Sequence, residues 1–398
     1  MRGASLYVHF PFCKSKCAYC GFFSVPAPII SDDYLTCVEN EARYYAELYA
    51  IDYWSTIYLG GGTPSLMSAQ QIEHVVRSLK NTASAKEPDE ITIEANPESL
   101  TADKLVAAAS CGVRRLSLGV QSLSDGALKT ARRACSAPEC TAALDLARQK
   151  WQGDLCVDVI AGLPAQTRDE AACSLERILS FHPEHVSLYC LEIEEGTPFD
   201  TLIKQGKMRF DEGKTEDEWL WGREALLARG YSQYEVSNFC EAGRVSLHNL
   251  GYWRQKDYVG SGAGAVGTLY GSGAEASFRW SNTRDVTKYM AFWSKEHHPD
   301  ETGQDEIPRD VELVDLKTRE IEFLMMGLRT AEGVSSTDYK RTFSAVPPWY
   351  GDLAKRLSPL KRTWGDGICC TEGEDGQRWA AQGEAYLFLN RLLLDLMD

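Results

Sequence analysis

The sequence contains no run of apolar residues that approaches the ~18 needed for a membrane-spanning helix. Its first residues, MRGASLYVHFPFC, also lack the apolar stretch of a secretory signal peptide. We therefore expect a cytoplasmic protein that has no integral membrane segment.

An excess of positive charge is also missing. The 42 lysines and arginines stand against 57 aspartates and glutamates, which gives a formal net charge of −15. Such a field repels nucleic-acid backbones and anionic lipid headgroups, so we do not expect nucleic acid as a partner. The 398 residues, of which 44% are hydrophobic and 25% charged, suit one large globular domain and a smaller one, or two to three average domains.

The odd number of cysteines, 13, and the reducing environment of the cytoplasm argue against a framework of disulfides. Ten of the 13 are scattered, and we expect most of them to be small, buried apolar residues. The scattered cysteines are Cys37, Cys111, Cys135, Cys140, Cys156, Cys173, Cys190, Cys240, Cys369 and Cys370. The adjacent pair Cys369 and Cys370 has no role that the sequence assigns.

From Ser5 to about Arg229, short β-rich runs alternate with amphipathic helical stretches. The expected strands are Ser5–Phe10, Ser55–Leu59, Glu90–Glu94, Arg115–Gly119, Cys156–Ala161 and His185–Leu191. The expected helices include Asp32–Tyr49, Ala69–Leu79, Thr101–Ser110, Cys140–Gln149 and Asp169–Ser180. This repetition indicates βα units and a parallel sheet, either doubly wound or an incomplete barrel, and periodicity alone does not choose between them.

The remainder of the chain predicts a different organisation. Gly260–Gly273 is rich in glycine and serine and predicts loops around one or two short strands, while the polar segment His297–Arg309 resembles a linker. Val311–Arg329 and Glu384–Leu396 have apolar residues at helical spacing. We therefore expect a small helical domain at the carboxyl end.

Three cysteines form a CxxxCxxC run, Cys13-Lys-Ser-Lys-Cys17-Ala-Tyr-Cys20, directly after the first expected strand. Three thiolates on one loop can hold three irons of a [4Fe–4S] cluster and leave the fourth iron open for a ligand. The alternatives are a zinc site or coincidence. Structural zinc takes four ligands, usually from two CxxC pairs, and no second pair is apparent.

Polar residues recur at the ends of the next strands. Gly60-Gly61-Gly62-Thr63-Pro64 lets the backbone approach a ligand closely, and Glu94, Gln121 and Asp158 follow at strands three to five. Ligands of parallel βα folds bind at these carboxyl ends. The two acids suit the amine or ribose hydroxyls of a nucleoside, and Arg133 suits a carboxylate. Each residue alone is also compatible with a helix cap or an internal salt bridge, and their convergence favours a site.

Nine sequence blocks carry a resemblance to a known family. They are YVHFPFCKSKCAYCGF, YLGGGTPS, IEANPESL, RLSLGVQSL, DVIAGLPAQT, LYCLEIEEGTPF, YEVSNF, HNLGYW and EFLMMGLRTAEGV. In order and separation they resemble the coproporphyrinogen-dehydrogenase and heme-chaperone branch of the radical S-adenosylmethionine (radical SAM) proteins, over most of the chain. The resemblance implies an α/β fold, an incomplete (β/α)6 TIM-like barrel with a smaller, mainly helical carboxyl-terminal domain. We divide the chain accordingly into residues 1–235, 236–305 and 306–398.

The resemblance also implies cofactors and their ligands. Cys13, Cys17 and Cys20 would ligate a [4Fe–4S] cluster. S-adenosylmethionine (SAM) would be surrounded by Tyr7, Tyr19, Gly61, Gly62, Thr63, Glu94, Gln121, Arg133 and Asp158. One electron delivered to the cluster would cleave the SAM sulfonium and release a 5′-deoxyadenosyl radical, which is chemistry that the cofactor supplies and the protein positions.

Two features divide the branch. The dehydrogenases have CxxxCxxCxC and a longer amino-terminal arm, whereas here Phe22 stands at the position of the fourth cysteine and 12 residues precede Cys13. His248-Asn249-Leu-Gly-Tyr252-Trp253 matches the HNxxYW motif of the HemW-type heme chaperones. Imidazole is a common ligand of heme iron, and the two aromatic residues would supply a flat apolar surface. Without the resemblance, these residues would be expected to pack a turn against the barrel.

The chain departs from the family at two positions. Cys135 stands where the family usually has a histidine two residues after the arginine, and Val266 stands in the glycine loop where histidine is frequent. Both departures argue against a role for a loop histidine here and leave the cluster prediction unchanged.

The resemblance therefore predicts a heme chaperone that binds heme and delivers it to heme-dependent, respiratory proteins. Its partners would be heme, heme-accepting proteins and an electron donor, and the protein would be a monomer or a homodimer. No catalytic residue is assigned. The alternatives are an oxygen-independent coproporphyrinogen III dehydrogenase and a radical SAM enzyme that acts on another tetrapyrrole.

Overall fold

The computed structural model of the chain describes residues 1–271, 275–300, 302–343, 353–373 and 376–397. In chain order the strands are β1 (Gly3–Phe10), β2 (Phe12–Cys13), β3 (Val25–Pro26), β4 (Tyr53–Gly61), β5 (Glu90–Ala95), β6 (Arg115–Gln121), β7 (Asp154–Ala161), β8 (His185–Cys190), β9 (Ser232–Gln233), β10 (Asn238–Cys240), β11 (Tyr258–Ser261), β12 (Val266–Leu269), β13 (Ser277–Asn282), β14 (Arg309–Val314), β15 (Val334–Ser335), β16 (Ile368–Gly373) and β17 (Gly376–Ala381). The helices are α1 (Asp32–Leu48), α2 (Ala69–Thr82), α3 (Ala102–Ser110), α4 (Asp125–Thr130), α5 (Ala137–Lys150), α6 (Arg168–Leu179), α7 (Pro198–Lys204), α8 (Glu212–Ala228), α9 (Leu247–Trp253), α10 (Val286–Trp293), α11 (Leu316–Leu328), α12 (Ser336–Phe343), α13 (Leu353–Trp364), α14 (Gly383–Leu387) and α15 (Leu389–Met397).

Within the described ranges, twelve strands form one sheet in the order β14-β13-β12-β11-β1-β4-β5-β6-β7-β8-β10-β9. At its centre β1, β4, β5, β6, β7 and β8 are parallel neighbours, each joined to the next through at least one helix. This sequential order is that of a barrel, because a doubly wound sheet reverses its strand order at a switch point. The two outer strands, β14 and β9, do not pair with each other within the described ranges, so the prediction of an incomplete (β/α)6 barrel is confirmed.

The helix α2 illustrates why the predicted elements form. Ser68 and Gln71 make a reciprocal capping box at its start, which satisfies two backbone N–H groups and contributes about 1 kcal/mol. Ile72, Val76 and Leu79 follow at helical spacing and are buried. The same capping box begins α5 and α6. The six expected strands agree with the structure to within two residues at each end.

The barrel strands separate apolar from polar side chains. In β6, Leu116 and Leu118 are buried in the core beneath the helices, whereas Ser117 and Gly119 line a cavity inside the barrel. Successive side chains of a strand point to opposite faces, so each polar residue of this pattern faces inward. These polar strand residues therefore line a cavity inside the barrel, which also has apolar walls.

The prediction of a helix from Val311 was wrong for its first five residues. Residues 309–314 form β14, which pairs antiparallel with β13 along the edge of the large sheet. Val311 and Leu313 alternate with acidic residues, which is the period of a strand, and they are 51% and 71% exposed. The helix begins at Leu316, because the Asp315 side chain accepts from the backbone N–H of Thr318. The edge of the large sheet thus contains β13, which precedes the expected boundary at residue 306, and β14, which follows it. The three-part division of the chain stays a prediction.

The carboxyl-terminal part is mainly helical, as predicted, and it also contains the three-stranded sheet β15-β17-β16. Its own core includes Leu324, Leu357, Trp379 and Leu392. The expected helix Glu384–Leu396 is divided between α14 and α15, and Cys369 and Cys370 lie on β16.

The glycine-rich segment forms β11 and β12 as expected, with 272–274 outside the described residues. The predicted linker His297–Arg309 contains the 3-10 turn Gln304–Glu306 and ends in β14, and residue 301 lies outside the described residues. Within the described ranges, none of the helices combines the length and the apolar character that crossing a bilayer requires.

Candidate functional site

The three cysteines of the CxxxCxxC run lie on the loop that follows β1. This loop is closed where β2 pairs in parallel with β3, and it is tied to the barrel by the backbone N–H of Ala18, which donates to Ala131 O at 2.9 Å. Cys13, Cys17 and Cys20 are all half-buried, and all three line one cavity of about 1460 Å³ at the carboxyl ends of the strands. The fold thus brings the predicted iron ligands to the mouth of the barrel.

The surroundings of these thiols fit an iron–sulfur cluster. Burial raises the pKa of Cys13 and Cys20, so bare thiolates are disfavoured there and a cationic iron centre would stabilise them. The Arg133 guanidinium lies 3.5 Å from Cys17 Sγ. In the described part of the chain, no group of three or more His, Cys, Asp or Glu side chains is arranged to hold a single metal ion. A sulfur-only donor set with one side open to the cavity matches a cluster with a free iron.

The glycine turn after β4 packs directly against the cysteine loop. Gly61 has a φ of +107°, and a Cβ there would lie 2.4 Å from His9 Nδ1. A Cβ on Gly62 would lie 2.6 Å from the carbonyl oxygen of Phe12, which precedes the first cysteine. Only glycine permits this approach, so the GGGTP motif places the turn beside the cluster loop.

Two unpaired carboxyl groups stand in the wall of this cavity. Glu94 accepts from the Tyr58 hydroxyl at 2.8 Å and from Gly61 N at 3.0 Å, and burial raises its pKa to about 7. Asp158 accepts from Ser117 Oγ at 3.2 Å, and burial raises its pKa as well. Neither carboxyl group forms an ion pair with a described residue. Such groups favour a ligand that brings an ammonium or hydroxyl groups, as SAM does.

Gln121 and Arg133 show local strain and unsatisfied polar atoms. Gln121 has a φ of +68° after a bulge in β6, a conformation that costs about 1 kcal/mol or more for a residue other than glycine. Its Oε1 and the Nε of Arg133 are buried and have no hydrogen-bond partner within the described structure. Arg133 Nη2 donates to Asn96 Oδ1 at 3.0 Å and to Gly119 O at 2.5 Å. Buried, unpartnered polar atoms at a cavity wall are typical of a site that awaits a polar ligand.

The cavity brings together most of the predicted residues. Its wall includes Cys13, Cys17, Tyr19, Cys20, Gly61, Gly62, Glu94, Gln121, Arg133, Asp158 and Asn249. Two residues expected around SAM lie elsewhere. Thr63 is buried beneath the wall and accepts from Asn96 Nδ2 at 2.9 Å, and Tyr7 lines a second cavity.

The histidine of the HNxxYW motif does not reach either cavity. His248 is 1% exposed, its Nδ1 lies 2.7 Å from Thr56 Oγ1, and its Nε2 lies 2.8 Å from the Tyr252 hydroxyl. Burial lowers its pKa to about 3, so the ring is neutral. Both ring nitrogens are therefore engaged inside the protein. Tyr252 and Trp253 line the second cavity, so α9 lies between the two cavities.

Helix α9 is held in place by a buried carboxylate of the barrel. Glu90 accepts from the backbone N–H groups of His248 and Leu247 at 3.0 and 3.1 Å, at the amino end of the helix. Arg115 Nε donates to the same carboxylate at 3.0 Å. A negative charge at a helix amino terminus is favourable, so this network fixes the orientation of α9.

Several cavity residues are absent from the sequence-based prediction, among them Tyr58, Asn96, Cys156, His185 and Ser187. Cys156 is not simply a small apolar residue, since its Sγ lies 2.9 Å from His185 Nδ1. The signal that could have found them is a polar residue at every second position of an otherwise apolar strand. Cys156 and Asp158 show this pattern in β7, and His185 and Ser187 show it in β8.

Comparison with known proteins agrees with this geometry. The model of the radical SAM superfamily matches residues 7–178. The chain is 34% identical over 397 residues to the mitochondrial radical S-adenosyl methionine domain-containing protein 1 of Bos taurus, covering 99% of this chain and 87% of that protein. It is 31% identical over 367 residues to the heme chaperone HemW of Lactococcus lactis, covering 91% of each. Its fold is similar to that of coproporphyrinogen III oxidase (HemN) of Escherichia coli, a radical SAM enzyme, with a TM-score of 0.76 at 20% identity, covering 99% of this chain and 90% of that one.

Proposed function

This chain belongs to the HemW family of radical SAM proteins, and on that basis we propose that it is a heme chaperone, which binds heme and delivers it to heme-dependent proteins. The observation that carries the proposal is the similarity to HemW of Lactococcus lactis, which extends over 91% of both chains and so includes the segments outside the barrel. Similarity confined to the barrel would have supported only the shared radical chemistry.

The cofactors of this family are a [4Fe–4S] cluster and SAM, and we propose which residues hold them. Cys13, Cys17 and Cys20 would ligate three irons, and the cluster, when bound, supplies an open iron and an electron for SAM. Glu94 and Asp158 would bind the amine or ribose hydroxyls. The remaining predicted contacts with SAM are Tyr19, Gly61, Gly62, Gln121 and Arg133. Thr63 would support Cys13 from beneath the cavity wall. Tyr7 would line the second cavity instead of contacting SAM.

For the HNxxYW motif we propose a division of roles. Tyr252 and Trp253 would contact heme, because both line the second cavity. His248 would position the helix that carries them, since it supports the Tyr252 hydroxyl from inside the protein. Asn249 would face the first cavity, whose wall it lines. We further propose that the heme acceptors are respiratory proteins and that an electron donor serves the cluster. The protein would be cytoplasmic and a monomer or a homodimer.

The rival function is oxidative decarboxylation of coproporphyrinogen III. The volume of the first cavity, about 1460 Å³, favours it, because that space exceeds what a drug-sized ligand requires, about 300–1,000 Å³. Phe22 argues against it, since it stands where the dehydrogenases have a fourth cysteine and is 71% exposed at the cavity. A radical SAM enzyme that acts on another tetrapyrrole is the third possibility.

One preparation separates these functions. After anaerobic reconstitution, the same sample is titrated with heme and assayed for decarboxylation of coproporphyrinogen III. We expect a saturable Soret change and no decarboxylated product. Turnover of coproporphyrinogen III without heme binding would establish the rival function and refute ours.

A further inference from the structure

A second cavity, of about 590 Å³, lies between helix α9, the strands β11 to β13 and helix α11. This volume falls within the range of about 300–1,000 Å³ that is typical of small-molecule sites. Much of its wall is aromatic. The aromatic residues include Phe23, Tyr252, Trp253, Tyr258 and Tyr270. Such a wall suits a flat, largely apolar ligand.

Among the described residues, three arginines and one carboxylate also line this cavity, although the whole chain has a net charge of −15. Arg279 is neutralised, since its Nη2 lies 2.7 Å from Glu322 Oε2. Arg284 and Arg329 form no ion pair with any residue in the described part of the chain. Guanidinium groups beside an apolar wall favour a ligand with carboxylates at one edge.

His9, the single histidine among the lining residues that the structure describes, already has partners on both ring nitrogens. His9 Nδ1 lies 2.9 Å from the Tyr7 hydroxyl, and its Nε2 lies 3.0 Å from the carbonyl oxygen of Phe23. The features that remain available for recognition are therefore the aromatic faces and the two arginines that form no ion pair with a described residue. Of these, Arg329 Nη2 also donates a hydrogen bond to Asn390 Oδ1 at 3.2 Å.

We propose that this second cavity is the heme site, an inference that rests on the proposed function and gives it a location. The macrocycle packs against Trp253 and Tyr252, and the two propionates contact Arg284 and Arg329. The first cavity, with the cysteine loop, stays reserved for the cluster and SAM.

The position of the second cavity links heme to the cluster loop. Gly21 and Phe22, which follow Cys20, line both cavities, and so does Arg329. Heme in the second cavity thus contacts the same loop segment that borders the cluster. Phe22, in place of a fourth cysteine, forms part of the wall between the two ligands.

The test is a heme titration of the reconstituted full-length protein and its variants, repeated with the dimethyl ester of heme, which lacks the propionate charges. We expect Arg284→Glu to weaken heme binding about tenfold or more and to leave binding of the ester unchanged. Trp253→Ala should weaken both ligands, and Trp253→Phe should retain both. Arg168→Glu, which makes the same charge change on α6 away from either cavity, is the matched control and should bind heme like the wild type. Iron content and SAM affinity, measured on every variant, should stay unchanged.

The outcomes distinguish the location of the heme site from the chaperone function itself. If the wild type binds heme and the Arg284 and Trp253 variants bind it equally well, this location is wrong while the chaperone function stands. Equal affinity of the wild type for heme and its ester would also contradict the arginine contacts. If the wild type does not bind heme at all, the proposed function fails as well.

Discussion

The Nε2 atom of His248 and the hydroxyl oxygen of Tyr252 lie 2.8 Å apart, one turn from each other on helix α9. The other ring nitrogen of His248 contacts Thr56 of the barrel, so the histidine joins the helix to strand β4. Tyr252 in turn packs edge-on against Tyr258, with ring centroids 4.7 Å apart. The histidine of the motif thus orients an aromatic wall.

This relationship predicts what a substitution of His248 does. His248→Ala should lower heme affinity by loosening Tyr252. The Soret maximum of the remaining complex should not move, since both ring nitrogens are engaged inside the protein and we propose that the ring does not ligate iron. Tyr252→Phe, which removes only the hydroxyl, should reproduce the loss in milder form. The measurement is the Soret position at saturating heme. A displaced maximum in a variant with normal iron content and SAM affinity would show that His248 ligates iron.

The cluster prediction concerns three cysteines of the 13. Replacing Cys17 with serine should abolish the cluster absorption, because a soft thiolate ligand is lost. The double change of Cys369 and Cys370 to serine should leave about four irons and four sulfides per chain. Iron and sulfide analysis after anaerobic reconstitution decides the matter. Stoichiometric zinc and no form with bound iron would contradict this assignment.

SAM binding should depend on pH through Glu94. Burial raises the pKa of this carboxyl to about 7, and the deprotonated form is the one that attracts a cationic ligand. Affinity should therefore rise as the pH increases from about 6 to about 8. Glu94→Gln should weaken binding about tenfold at pH 8, remove this dependence and leave the iron content unchanged. Calorimetry at the two pH values provides the measurement, and an unchanged pH dependence in Glu94→Gln would exclude this role.

Stability should depend on pH through a different carboxyl group. Glu41 is fully buried and accepts from the Tyr289 hydroxyl at 2.6 Å and from Gly262 N at 2.8 Å, and burial raises its pKa to about 7. An acid whose pKa is higher in the folded state costs stability as the pH rises from its unfolded value, about 4.5, to about 7. The contribution is about 3 kcal/mol at most.

The corresponding variant is Glu41→Gln, which keeps the shape and stays neutral. Its melting temperature should fall less than that of the wild type between pH 5 and pH 8. Glu296→Gln serves as a control, because that exposed carboxylate only pairs with Arg43 at the surface. Identical pH profiles for Glu41→Gln and the wild type would mean that Glu41 is not the group responsible.

The barrel could be predicted from the sequence because its strands carry a local signal. Leu116 and Leu118 alternate with polar residues, so β6 was found within two residues of its end. The helix prediction at Val311 was wrong because a short strand with apolar residues two apart lies directly before the helix that begins at Leu316. Only the fold shows that this run pairs with β13 at a sheet edge.

The site could be predicted only in part, for a similar physical reason. The carboxyl ends of parallel strands lie at the same edge of a sheet. The prediction that Glu94 and Asp158 lie near each other therefore agrees with their position in the wall of one cavity. The second cavity combines Trp253 with Arg284 and Arg329, which come from separate elements after the barrel. Their proximity depends on tertiary packing, and no spacing in the sequence encodes it.

The most direct test of the chaperone function is transfer of heme to an acceptor. The reconstituted protein, loaded with heme and freed of excess ligand, is mixed with an apo-cytochrome, and the Soret spectrum of each protein is followed after separation. We predict that heme leaves the wild-type protein completely and appears in the acceptor. If the aromatic wall guides release, transfer from the wild type should also be faster than from Trp253→Ala loaded to the same extent. Heme that stays bound while coproporphyrinogen III is decarboxylated would contradict it.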